Sequence, residues 1–151
     1  MHTTAPSRWF SAKLPDAVAP RLAALLLASL ALAPPAGADV RSDYLLHCGG
    51  CHLPDGRGAP PKVPDFRNEL SWLLTTQQGR DYLVQVPGAS QAPVSDERLG
   101  QIVNWLLTEY NAETLPADFR PLTTEEVSAA RRHVLTNPVE SRRELLRGYR
   151  K

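Results

Sequence analysis

The segment His47-Cys48-Gly49-Gly50-Cys51-His52 holds the only two cysteines of the 151-residue chain, with a histidine directly after the second. On one helical turn this spacing brings both sulfurs to the same edge and swings the next imidazole beneath it. Three kinds of chemistry compete for such a pair. A thioredoxin-like redox couple belongs after a strand in a βαβ unit, and no segment alternates with period two for long enough to read as a strand. A zinc site needs four ligands, usually as two Cys/His pairs. Beyond the first 38 residues, only His47, His52 and His133 could complete one, and they lack pair spacing. A structural disulfide across two intervening residues would be strained, because bridge geometry restricts which cysteines can pair.

The chemistry that fits is covalent attachment of one c-type haem, for which Cys-x-x-Cys-His is the signature. The thiols of Cys48 and Cys51 add across the vinyl groups, and the imidazole of His52 takes one axial face of the iron.

The residues ahead of the motif agree with this chemistry. Arg8, Lys13 and Arg21 form a basic stretch, Leu22 to Ala33 is small and apolar apart from Ser29, and Ala36-Gly37-Ala38 comes after the helix-breaking Pro34-Pro35. That order is a secretory signal peptide with an A-x-A cleavage box. The apolar run has twelve residues, too short for a span that needs about 20. Residues 1–38 are therefore expected to be removed after Ala38, leaving a periplasmic mature chain. Its 113 residues suffice for one small domain, of a size at which buried area alone gives thin stability; a haem plate at the centre eases that limit. The net charge of the mature chain, −1, gives no sign of a nucleic-acid binder. No catalytic triad, carboxylate pair or phosphate loop is evident.

Helical signals dominate the mature chain. Ser42 or Asp43 can cap a helix that runs into the haem motif. Leu53 to Phe66, with four prolines and two glycines, reads as a wrapped loop. Asn68 to Thr75 predicts a short helix with Leu70, Leu73 and Leu74 inward and Trp72 beside them or at the haem edge; Gly79 should break it, and Arg80 to Val86 should form another. Val86 to Val94 reads as loop. Ser95 then caps a helix whose stripe is Leu99, Ile102, Val103, Leu106 and Tyr110, with Asp96 and Glu97 at its positive end. Thr123 and Glu126 make a capping box for a helix through His133; Asn137-Pro138 ends it, and Glu140 to Tyr149 predicts a last, basic helix. Seven of the 31 residues from Pro121 onward are Arg or Lys and four are acidic, so this tail is either a solvated appendage or a steering surface for an acidic partner.

The haem motif near the N-terminus, the Pro/Gly loop after it and the capped helix near residue 100 together resemble a class I c-type cytochrome over Asp39 to Asn111. The resemblance implies an all-α, cytochrome c-like domain at 39–115, wrapped around one haem c, with a C-terminal helical extension at 116–151. It implies that the first and last core helices cross through an aromatic contact, for which Tyr44 and Trp105 are placed. It also implies a proline whose carbonyl accepts the second N–H of the axial histidine: Pro64 first, Pro61 second. That contact would orient His52 and strengthen it as a ligand.

One departure is large. The family usually supplies a methionine, often as Met-Pro, for the second axial position; here the matching dipeptide is Val86-Pro87, and the only methionine is Met1. His47 is tied to the attachment edge and Lys62 lies in the loop expected on the His52 side. The expectation is thus an open or water-filled sixth position lined by Val86-Pro87, with His133 the side chain that could otherwise reach it. The functional expectation is a one-electron carrier between an exported dehydrogenase and a downstream acceptor. The alternatives are a haem protein binding a small molecule at open iron, with or without modest redox catalysis, and an accessory subunit of a periplasmic enzyme.

Overall fold

The structure is a computed structural model that describes residues 39–147. The leader at 1–38 and residues 148–151, including Tyr149, lie outside the described residues. The described chain forms seven α-helices: α1 (Val40–His47), α2 (Gly49–His52), α3 (Gln77–Gln85), α4 (Pro87–Ser90), α5 (Asp96–Tyr110), α6 (Thr124–Arg131) and α7 (Pro138–Arg147), with a 3₁₀ turn at Ser71–Thr75. Among the described residues the β content is one isolated bridge, Ala59 to Val63. The domain is all-α.

The core is built on the two sides of α5. Its N-terminus forms as its residues dictate: the hydroxyl of Ser95 accepts from the Arg98 amide at 3.1 Å, and Asp96 and Glu97 occupy the first turn. Toward α1, Ile102 and Leu106 pack with Tyr44. On the other side, Leu99, Val103 and Leu107 join Leu70, Leu73, Tyr82, Leu83 and Val84. Each such fully buried side chain contributes about 1.5–3 kcal/mol relative to exposure. Tyr44 and Trp105 meet with ring centroids 5.3 Å apart, and Tyr110 closes a three-ring cluster at 5.8 Å and 5.5 Å from them. The helix crossing therefore rests on aromatic contact.

Several boundaries differ from the sequence expectation, each for a local reason. α1 starts at Val40, ahead of Ser42 and Asp43. Asp43 is drawn sideways into an ion pair with Arg98 of α5. Gly79 does not break a helix; it sits within α3, which starts at Gln77 and is capped by Thr76. A Cβ there would lie 1.9 Å from the Leu73 carbonyl oxygen, so the glycine lets α3 close against the 3₁₀ turn. The expected loop after Val86 contains the single turn α4, begun by Pro87 at its first position, where proline's fixed φ suits a helix start. α6 has both bonds of its capping box but ends at Arg131, two residues short of His133, and α7 opens at Pro138.

The first part of the tail, through α6, packs into the core. Leu122, Val127 and Ala130 are buried in the same cluster as Leu99, Val103 and Leu107. Arg80 of α3, buried, donates to both carboxylate oxygens of Glu126 at 3.1 Å and 2.8 Å and to the carbonyls of Arg120 and Pro121. The capping-box glutamate thus also pairs a core cation, which fastens α6 to α3.

Candidate functional site

A cleft of about 360 Å³ opens beside the attachment motif. Its floor is the inner face of α5 (Leu99, Ile102, Val103, Leu106), and Leu70, Leu83 and Val86 supply further apolar wall. Cys48, Cys51, His52 and Pro64 all line it. The chain bends at Cys48, between α1 and α2, and the amides of Cys51 and His52 both return to the Cys48 carbonyl, at 3.2 Å and 3.0 Å. That tight turn is what sets the two sulfurs and the imidazole around one space.

The hydroxyl of Tyr44 anchors the end of this turn, donating to the carbonyls of His52, at 3.2 Å, and Leu53. The returning loop is fixed just as closely. The Phe66 amide donates to the Gly56 carbonyl at 2.8 Å, and the side chain of Asn111 donates to the Phe66 carbonyl at 2.9 Å while accepting from the Leu70 amide at 3.0 Å. Gly58 passes so near Pro64 that a Cβ would lie 2.2 Å from its carbonyl oxygen.

That carbonyl is 3.1 Å from His52 Nδ1. A carbonyl only accepts, so Nδ1 carries the proton and Nε2 keeps its lone pair. Burial holds the imidazole pKa below its ordinary value, and Phe66 stacks on the ring with centroids 3.7 Å apart and planes at 15°. His52 is therefore a neutral, oriented nitrogen donor. Burial, aided by the neighbouring Cys51, pushes the Cys48 thiol up to about 11. A reactive redox pair needs the opposite shift. No group of three or more His, Cys, Asp or Glu able to hold a metal ion occurs among the described residues.

The remaining candidates divide. Val86 and Pro87 line the cleft, as do His47 and Lys62. His133 is exposed and is not among the lining residues; the short α6 leaves it on the turn beyond the helix. Trp72 is half-buried and also absent from the lining. Sequence reasoning missed Phe66, Tyr82 and Arg142, which face the cleft from segments far along the chain. Only the position of Phe66, two residues after Pro64, offered a signal.

An apolar cleft bearing two thiols beside an oriented imidazole fits haem c. When bound, that group supplies a one-electron ferric/ferrous couple. No family model and no solved structure matches the chain. Among curated proteins it is similar to a cytochrome c-552 of Thermus thermophilus, 30% identical over 133 residues, covering 76% of this chain and 87% of that one. A second Thermus thermophilus cytochrome c-552 is 28% identical over 107 residues, covering 59% and 82%. With such a relative matched over most of its length and an all-α fold built around the attachment motif, the chain belongs to the class I c-type cytochromes, electron carriers that hold haem c covalently.

Proposed function

We propose that Cys48 and Cys51 hold the haem as thioethers, that His52 is its axial ligand, and that Pro64 orients that ligand. The observation that carries this reading is the 3.1 Å contact from His52 Nδ1 to the Pro64 carbonyl, which leaves Nε2 free beside both thiols. The protein's own contribution is then to fix one nitrogen donor, exclude water with an apolar wall, and keep the site rigid while charge changes by one electron. The partners proposed are an exported dehydrogenase as donor and a downstream acceptor. The proposal includes a periplasmic mature chain beginning at Asp39. Among the described residues no helix is long and apolar enough to cross a membrane. Intact mass should equal the Asp39–Lys151 chain plus one haem, retained through acid–acetone extraction. Haem lost to the organic phase would overturn the attachment, and a mass including Met1 to Ala38 would overturn the cleavage site.

A second reading, an iron open at its sixth position to CO or NO, is supported by Val86 and Pro87 lining the cleft where the family resemblance calls for Met-Pro. It predicts a high-spin ferric spectrum and prompt CO binding, both unchanged in His133→Ala. A low-spin bis-histidine spectrum that turns high-spin in His133→Ala would instead assign His133. A near-infrared sulfur-to-iron band would defeat both.

A further inference from the structure

Arg142 stands at the second-turn position of α7, on the face it shares with Pro138 and Val139. All three residues line the cleft. The Nη2 of Arg142 donates to the Pro61 carbonyl at 3.2 Å, while its Nη1 is buried with no hydrogen-bond partner. It is the one such side-chain atom among the described residues. A buried donor left unsatisfied costs about 1–3 kcal/mol, and more when it belongs to a charged group.

Among the described residues no carboxylate stands ready to satisfy it. Neither the cleft nor the smaller pocket next to it, lined by Pro61, Val139, Arg142, Arg143, Leu146 and Arg147, contains an Asp or Glu. Glu140, at the start of the same helix, pairs with Arg143 and Arg147. The other polar groups facing Arg142 are His47, His52 and Lys62 in the cleft and the hydroxyl of Tyr82, which donates to the Pro138 carbonyl at 3.1 Å. None is an anion at neutral pH. A planar guanidinium that lines an apolar cleft and keeps one nitrogen unpaired matches a carboxylate in both charge and shape. The group proposed for this cleft carries carboxylates of its own.

We propose that Arg142 binds a carboxylate of the haem, and that this contact fastens the C-terminal helix to the loaded cleft. The inference rests on the haem attachment proposed for Cys48, Cys51 and His52. It makes Arg142 a positioning residue with two effects. The ion pair keeps the carboxylate ionised and offsets its charge near the iron. It also gives α7, a helix with no buried residue of its own, a reason to stay docked.

The test uses the full-length holoprotein and its Arg142→Gln and Arg142→Lys variants, each first shown by intact mass to carry one covalent haem. A preparation without haem in the wild type would indict the attachment reading, not this one. Midpoint potential is then measured from about pH 5 to 8, where an unpaired carboxyl near a redox centre can titrate, together with hydrogen exchange over 138–147. The wild type should show a flat profile. Arg142→Gln should have a lower potential at neutral pH, because an uncompensated anion favours the ferric state. It should also gain a pH-dependent limb at the acid end and exchange α7 amides about tenfold faster, the loss of one charge-assisted hydrogen bond. Arg142→Lys should recover most of the flat profile, since it keeps the charge. His47, Lys62 and Tyr82 are present in all three proteins and drop out of the comparison. A potential profile of Arg142→Gln that superimposes on the wild type overturns the proposal. Faster exchange with an unchanged profile does so too, because a merely structural arginine would behave that way.

Discussion

The carbonyl that accepts from His52 Nδ1 belongs to Pro64, and the backbone of Gly58 packs directly against that same carbonyl. Orientation of the histidine therefore depends on a glycine six residues beyond it. Gly58→Ala should push the Pro64 carbonyl away and lengthen the bond to His52. A carbonyl partner raises the basicity of a ligating imidazole, which favours the ferric state, so weakening it should raise the midpoint potential. Redox titration checks this; a potential equal to the wild type's would mean that the carbonyl does not tune the ligand.

Gly79→Ala should destabilise the protein although alanine is the better helix former. Propensity alone favours the change by about 1 kcal/mol. The added Cβ would meet the Leu73 carbonyl oxygen at 1.9 Å, a backbone atom that cannot rotate away. Overpacking of this kind costs about 1–3 kcal/mol, so the net sign is a loss. Urea denaturation decides it, and a stabilised variant would show that α3 can slide off the 3₁₀ turn.

The Arg80–Glu126 pair gives stability a defined pH dependence. The Arg80 guanidinium holds the Glu126 carboxyl below its ordinary value of 4.5. Because the folded pKa is the depressed one, the contribution is full above the unfolded value and is lost as pH falls through the folded value. Glu126→Gln leaves a buried cation half-paired and should cost about 3 kcal/mol at neutral pH, the low end for a buried pair because Glu126 is partly exposed. The gap between wild type and variant should narrow as pH falls below the ordinary glutamate range and through that depressed folded value, where the wild-type carboxyl also protonates. Denaturant titrations at several pH values test this, and a gap independent of pH would contradict it.

Removal of residues 121–151 should do more than slow electron transfer. It takes Leu122, Val127 and Ala130 out of the core and leaves Arg80 without its carboxylate. Leu122→Ala alone should cost about 2–5 kcal/mol. The truncated chain should fail to give a cooperative thermal transition by circular dichroism, whereas a sharp transition would make α6 dispensable.

The amino-acid sequence by itself determined what depends on neighbours within a turn or two. The spacing of Cys48, Cys51 and His52 is that of a haem-attachment motif. Ser95 and Thr123 cap their helices because their hydroxyls reach amides three residues on, and the 3.6-residue stripe of α5 names its own buried face. The all-α class follows from the same local periodicity. What only the tertiary structure decided involves partners far apart in the chain. The loop that brings a proline carbonyl to His52 is pinned by Asn111, 45 residues from Phe66. Gly79 reads as a helix breaker until the Leu73 carbonyl occupies the space of its missing side chain. Glu126 looks like a cap residue alone until Arg80, 46 residues away, turns it into a counter-ion. His133 and Arg142 are both cationic or potentially cationic residues of a basic tail, and nothing local separates them. The end of α6 leaves the first in solvent, and the packing of α7 turns the second into the cleft. Local hydrogen bonds and periodicity are written along the chain, whereas close approach between distant segments exists only once the core has formed.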